Sequence, residues 1–423
     1  MAESIPLKAL SDEDKEFLQI TLDCEGNEIF DIDGETLYLP LAFTRQTFDL
    51  LAIEFPDPIV KDCFSGTLRD EQLFVMEYAL TKLYTEGHAV ISARPGFGKT
   101  ITSVAITAKL GIKTLVVVNK LILIDQWIHA ITKFAPEIRF SVVKSEMQEL
   151  DPTATFYIVN AINISKKSWD FWKPIKFLIV DEIHQIVTKK LIVGILRITP
   201  VAILGLSATP YRHDDYNKAI EWFFGNNVVG KPLNQKHHYK IVPTGFTPTD
   251  IQYTCKGLDW GKILNDQSEN VARNECIVNE CVEKSKTHTV LVLVKRVAHA
   301  ETLMRLINER DPTILVATLI GSARTFDKNC KILIGTTSKI GVGFDHAPID
   351  CLVVASDIKN YFVQFLGRCM RNPDAVPVVI DFDDDFGVLR KHLLGRIEEY
   401  KKHGGIGTVL SKKNNSLYHP LRK

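Results

Sequence analysis

No C-x-x-C pair occurs among the eight cysteines, which stand at positions 24, 63, 255, 276, 281, 330, 351 and 369. Their scatter argues against a zinc site and for reduced, intracellular thiols. No apolar run approaches the roughly 20 residues needed to span a bilayer, so no membrane association is expected. The first residues, Met1 to Lys8, lack a basic segment followed by an apolar core, and no secretory signal is read there. Low-complexity tracts and short internal repeats are missing too. There is also no excess charge of one sign. Across 423 residues, 51 Lys and Arg balance 51 Asp and Glu, which is unexpected for a nucleic-acid binder read by charge alone.

The zero conceals a gradient. Residues 1–66 hold 15 acidic against 4 basic side chains, and residues 386–423 hold 9 basic against 2 acidic. Both stretches read as solvated surface, or as an acidic head with a basic tail that touches phosphates. The length suggests two to three domains, and a hydrophobic content of 45% is enough to give each a core.

The N-terminal 66 residues read as a small, β-rich module. Asp33-Gly34 between two short alternating runs is a hairpin signal. From about 67 to 230, β-rich apolar runs at 88–93, 113–118, 155–159, 176–180 and 201–206 alternate with helical patterns such as Lys120 to Phe134. Such alternation predicts an α/β unit with a parallel sheet covered on both faces. Residues 231–270 lose the rhythm and read as a connector. The alternation resumes over 271–395, with strands near 289–294, 314–320, 331–335, 350–355 and 376–381 and helices near 297–309 and 361–371. Residues 396–423 form a basic tail. The fold class expected is two tandem α/β lobes, and only the first carries a phosphate loop.

That loop is Ala93-Arg94-Pro95-Gly96-Phe97-Gly98-Lys99-Thr100. It follows an apolar strand and opens a helical pattern. In that context, backbone N–H groups can wrap an anion at a helix N-terminus. Lys99 would reach the β- and γ-phosphates, and Thr100 would hold Mg²⁺. Ala93 stands where the motif usually has its first glycine, so the segment alone also fits an ordinary Gly-rich turn. Downstream, the apolar strand Phe177 to Val180 ends in Asp181-Glu182-Ile183-His184. Asp181 can bind Mg²⁺ through water, and Glu182 can orient and deprotonate an attacking water.

Residues 67–385 resemble superfamily 2 helicases and nucleic-acid translocases, whose motifs recur here in the family's order. The loop at 93–100 is similar to motif I and Asp181–His184 to motif II in its DExH form. Val116 to Trp127 resembles motif Ia, and Ser207-Ala208-Thr209 motif III. Val292 to Leu303, with Lys295-Arg296, resembles motif IV. Thr336 to Asp345 looks like motif V, and Gln364 to Arg371 like motif VI. Gly205 to Arg212 and Leu68 to Gln72 resemble the branch of XPB, phage recombination helicases and restriction-type translocases. The segments Thr244–Pro248, Leu258–Trp260 and Ala272–Asn274 look similar to the linker of phage and large-DNA-virus members, with the poxvirus transcript-release DNA helicase the nearest family. Ala93 fits the superfamily 2 form of motif I.

The resemblance implies two RecA-like lobes with ATP and Mg²⁺ between them. Lys99, Thr100, Asp181 and Glu182 would come from the first lobe, with Gln72 on the adenine. Gln364, Arg368 and Arg371 would come from a helix of the second, where arginines three apart face one side. Gly343 and Asp345 would contact nucleotide, and Asp345 the ribose or the arginine network. His184 would bridge motif II to the second lobe, and Ser207 and Thr209 would be coupling residues with it. Asn119, Lys120, Lys295, Arg296, Thr336 and Thr337 would hold nucleic-acid phosphates without reading sequence. The activity implied is ATP-dependent movement on nucleic acid, DNA favoured over RNA, within transcription or replication and repair, by a monomer in the host cell or the virion. An RNA helicase, a duplex translocase that does not separate strands, and a clamp without hydrolysis remain open. A metabolic kinase fits motif VI poorly.

Overall fold

The structure is a computed structural model and describes every residue except 1–3, 49–52, 213, 231–232, 250, 255–256, 342–343, 345, 360–361, 371–374, 411–417 and 420–423. The chain forms two compact units, Met1–Pro232 and Leu233–Lys423. Among the described residues, no helix is long and apolar enough to cross a membrane.

The first unit is built on seven parallel strands. In chain order they are β1 (His88–Ser92), β2 (Thr114–Val118), β3 (Phe140–Val143), β4 (Phe156–Asn160), β5 (Phe177–Asp181), β6 (Ala202–Ser207) and β7 (Val228–Val229). Their order in the sheet is β7-β1-β6-β5-β2-β4-β3. Every residue of β2, β4, β5 and β6 is buried. This is why their sequences run apolar instead of alternating, as a parallel sheet with both faces covered requires. Each buried Val, Leu or Ile contributes about 1.5–3 kcal/mol. The strands 140–143 and 228–229 lie at the sheet's two edges, where shorter and more polar segments carry no strong pattern. The helix Leu121–Phe134 buries Leu123, Trp127, Ala130 and Ile131, one stripe at helical spacing.

The N-terminal residues contribute a three-stranded antiparallel sheet of Ser4–Pro6, Thr36–Tyr38 and Asp31–Asp33 and the helices Asp12–Thr21 and Leu41–Phe48. The sequence suggests a detached module, but Leu18, Leu22, Cys24, Ile29 and Leu37 share one core with Ile220, Phe223 and Phe224. Tyr38 stacks on Trp169 at 3.8 Å. The acidic surface of this segment thus covers an apolar underside that needs the first lobe to bury it.

The second unit has seven parallel strands and a short antiparallel one. They are β8 (His237–Pro243), β9 (Val290–Val294), β10 (Val316–Leu319), β11 (Ile332–Thr336), β12 (Cys351–Val354), β13 (Val378–Asp383), β14 (Gly405–Leu410) and β15 (Tyr418–His419). The order is β10-β11-β9-β12-β13-β8-β14-β15. Two segments hold more regular structure than their patterns suggest. Residues 237–243, within the expected connector, form a strand beside β13. The expected tail begins inside the helix Gly387–Lys402 and continues into β14. Alternating His and Lys with Tyr and Ile hide the first, and glycines hide the second. Arg273, in the linker-like segment, is buried. Its Nε donates to Asp384 Oδ1 at 2.9 Å and its Nη1 to Ala355 O at 2.7 Å.

Candidate active site

The parallel strands of the first unit bring motifs far apart in sequence to one edge. In register, Ser92 pairs with Ser207, Asp181 with Leu206, and Val117 with Val180. The phosphate loop, motif II, motif III and Asn119-Lys120 therefore all leave the C-terminal ends of adjacent strands, where ligands of open α/β sheets bind.

The loop is held by its glycines. Gly96 and Gly98 have φ of 81° and 95°, a region that side chains with Cβ rarely adopt. A Cβ on Gly98 would stand 2.3 Å from Gln72 Nε2. Gln72 is thus wedged against the loop. Its Nε2 donates to Phe97 O at 2.8 Å, and its Oε1 accepts Arg69 N–H at 2.9 Å, closing the start of the helix Asp70–Glu86. Arg69 also donates to Phe97 O and lies over the Phe97 ring at 5.9 Å. Gln72, expected at the adenine, also braces the phosphate loop. Lys99 Nζ donates to Ala93 O at 3.0 Å. Its ammonium thus stays inside the curve of the loop, at the N-terminus of the helix Lys99–Leu110, where phosphate oxygens are favoured. Thr100, in the first turn of that helix, is partly exposed.

Asp181 ends β5 and is buried. Burial, with the adjacent Glu182 charge, raises its pKa to about 6, while the hydrogen bond from Trp127 and the charge of Lys99 oppose the rise. Trp127 Nε1 donates to Asp181 Oδ2 at 3.0 Å, fixing the carboxylate's rotation. The sequence does not single out a role for Trp127, because it sits at an apolar position of its helix like any core residue. A carboxylate held this way beside a phosphate loop fits a divalent cation, which would favour its charged form.

The folded pKa of Asp181 lies above its ordinary value of 3.8. The folded state therefore binds more protons between about pH 4 and 6, and stability falls as pH rises through that window. Asp181→Asn should escape this decline. Without divalent cations it should be more stable than wild type at pH 7.5, by on the order of 1–3 kcal/mol as read by denaturant unfolding, with the gap narrowing toward pH 4.5. An equal gap at both pH values would contradict the burial of this charge.

Glu182 adopts φ 56° and ψ 56°, a left-handed conformation uncommon outside glycine and a form of strain often found at functional sites. Its Oε2 lies 3.6 Å from His184 Nδ1. His184 is buried, and burial together with the charges of Arg212 and Lys99 pushes its pKa down to about 3. Its ring is neutral near pH 7. His184 Nδ1 lies 2.7 Å from Ser207 Oγ, and Ser207 Oγ accepts Thr209 N–H at 2.9 Å. Motifs II and III are therefore joined through the side chains of His184 and Ser207. Arg212 Nη1 donates to His184 O at 2.5 Å and pairs with Asp214. Nothing in the sequence signals this contact.

In the second unit, Lys295-Arg296 follow β9 and Thr336 ends the adjacent β11, with Thr337 next in the chain and Val294 in register with Thr336. These nucleic-acid candidates are brought together. Arg296 is partly engaged, its Nε donating to Asn265 Oδ1 at 2.9 Å and its Nη2 to Gly261 O at 3.2 Å. Asn119, in the first unit, gives its Nδ2 to Gln185 Oε1 at 2.6 Å, and Lys120 is partly exposed beside it. Gln364 is buried in the short helix Phe362–Leu366. That helix ends before Arg368, which corrects the expectation of one helix carrying both arginines. Arg368 is also buried, with Nη1 donating to Phe344 O at 2.7 Å and Nη2 to Gly341 O. It ties the motif V loop to motif VI. Gly343, Asp345 and Arg371 lie outside the described residues.

Residues 65–212 match the family described as "Type III restriction enzyme, res subunit". The chain is 36% identical to "Putative helicase 161L" of Invertebrate iridescent virus 6, over 88% of this chain and 89% of that protein. It is 25% identical to "Putative ATP-dependent RNA helicase QP509L" of African swine fever virus (isolate Tick/South Africa/Pretoriuskop Pr4/1996), over 89% of this chain and 81% of that one. Among solved structures, S. cerevisiae Dbp5 bound to RNA and ADP BeF3 superposes with a TM-score of 0.53 at 14% identity. That match covers 81% of this chain and 94% of Dbp5, and it supports tandem RecA-like lobes.

Proposed function

The chain belongs to the superfamily 2 helicases of large DNA viruses, and from that premise we propose that it hydrolyses ATP to drive movement on DNA. The observation that carries the reading is the joint placement of Lys99, Asp181 and Glu182. They leave the ends of the strands β1 and β5, which flank β6. Lys99 and the N–H groups of residues 96–100 would hold the β- and γ-phosphates. Thr100 and Asp181 would hold Mg²⁺, which when bound would draw charge from the phosphate oxygens. Glu182 would orient water and take its proton. In the reading that the motifs imply, Arg368 and Arg371 would stabilise charge on the transferring phosphoryl group, a contribution worth about 10³–10⁵ in rate in well-studied nucleotidases, and the neutral Gln364 would act through hydrogen bonds alone.

DNA is favoured by the match to a restriction-enzyme subunit. RNA is the second reading, favoured by the name of the swine fever virus relative. ATP hydrolysis measured with single-stranded, duplex and forked DNA and with RNA in parallel separates them. DNA should stimulate most. Strongest stimulation by RNA would replace the DNA reading, and no hydrolysis with any polymer would remove the motor function.

A further inference from the structure

We propose that Gln185 is a positioning residue that couples nucleic-acid engagement at Asn119 to the hydrolytic residues around His184. The inference rests on the motor reading above and adds to it a residue with no assigned role.

The side chain of Gln185 bridges two motifs. Its Oε1 accepts from Asn119 Nδ2 at 2.6 Å, and its Nε2 donates to His184 Nε2 at 3.2 Å. His184 then continues through Nδ1 to Ser207 Oγ at 2.7 Å, and Thr209 N–H closes the chain on the same oxygen at 2.9 Å. One continuous set of hydrogen bonds thus runs from the end of β2, where motif Ia meets solvent, to motif III. It passes within 3.6 Å of Glu182 at His184 Nδ1.

The chemistry of an amide gives this bridge a direction. Glutamine carries an acceptor and a donor on one rigid plane. With Nε2 of His184 accepting from Gln185, the ring proton of the neutral imidazole belongs on Nδ1, between Ser207 and Glu182. Asn119 holds the far end of the plane. A nucleic-acid phosphate that draws the Asn119 amide toward itself would release Gln185 Oε1. The amide could then turn, and the orientation and tautomer of His184 would no longer be fixed. A change at the nucleic-acid face would thus arrive beside Glu182 as a change in hydrogen bonding, without a large backbone movement.

The test compares wild type with Gln185→Ala, Gln185→Glu, Asn119→Ala and the double variant Asn119→Ala/Gln185→Ala. ATP hydrolysis is measured with and without a single-stranded oligodeoxythymidine, and binding of that oligonucleotide separately. Gln185→Glu keeps the acceptor for Asn119 and loses the donor to His184. Because Gln185 is only partly buried, both replacements fit the site. In both, the fold stimulation by the oligonucleotide should drop by about 3- to 30-fold, while affinity for it stays near wild type. A plain packing role would not move that ratio. Asn119→Ala should lower the ratio too, and the double variant should lose no more than Gln185→Ala alone. Unchanged stimulation in both Gln185 variants, or losses at 119 and 185 that multiply, would overturn the coupling while leaving the motor intact. If no nucleic acid stimulates the wild type, the motor reading falls and the coupling falls with it.

Discussion

Glu182→Gln should stop ATP turnover while nucleotide still binds. The exchange replaces one oxygen by nitrogen on a side chain that is 13% exposed, so shape and packing persist. What disappears is the ability to take a proton from water. General-base contributions of this kind are about 10²–10⁴ in rate. The left-handed backbone at Glu182 is a property of the turn between β5 and the helix Ile183–Ile186, and glutamine meets the same strain as glutamate. Folding stability should therefore change little. Single-turnover hydrolysis alongside equilibrium binding of a fluorescent ATP analogue checks both halves. Wild-type turnover in the variant would take the role of base away from Glu182.

Lys99→Ala should act earlier, on binding. The ammonium of Lys99 sits within the loop, held by Ala93 O at 3.0 Å. Alanine leaves the backbone N–H groups in place and removes the only side-chain cation of the loop-to-helix turn other than Arg94. Each charged hydrogen bond contributes about 1.5–3 kcal/mol. Losing contacts to two phosphates should therefore weaken ATP binding by roughly 10²–10⁴ and bring hydrolysis below detection. Calorimetric titration with ATP reads the affinity. A variant that binds ATP as tightly as wild type would show that the loop's backbone alone carries the phosphates. The two variants thus differ in kind, since Glu182→Gln separates binding from chemistry and Lys99→Ala removes both.

The parts of this molecule that can be read in advance are those whose physics is local. Buried strands such as Phe177–Asp181 announce themselves as apolar runs. The loop at 93–100 announces itself by glycines that the left-handed backbone requires. The order of the motifs then points to two parallel sheets, and two are present. What stays hidden depends on contacts between distant segments. Nothing around Trp127 says that its indole meets Asp181, since a helix's apolar face looks the same whether its partner is a leucine or a carboxylate. Gln185 and Arg212 are polar residues in loops or short helices, and their partners are 66 and 28 residues away. The edge strand at 140–143 and the strands at 237–243 and 405–410 are masked by polar or Gly-rich sequences. The expectation of Gln72 at the adenine comes from resemblance, and its wedge against Gly98 is visible only in the structure.

The strand order of the first sheet also sets a timetable for synthesis. β1 carries the phosphate loop, yet its two neighbours are β6 and β7, with His88 paired to Ile203 and Val90 to Val228. On a ribosome adding about 5–20 residues per second, β1 waits on the order of ten seconds for either neighbour. Until then its buried run His88–Ile91 has no sheet to join, and the loop has no fixed geometry. The loop at 93–100 is thus among the last parts of the lobe to take its final shape, although its sequence is among the first to emerge. Nascent chains that stop before residue 203 should be exposed to aggregation through this strand. A phosphate ligand of that loop, if the proposed function holds, would stabilise only the completed lobe.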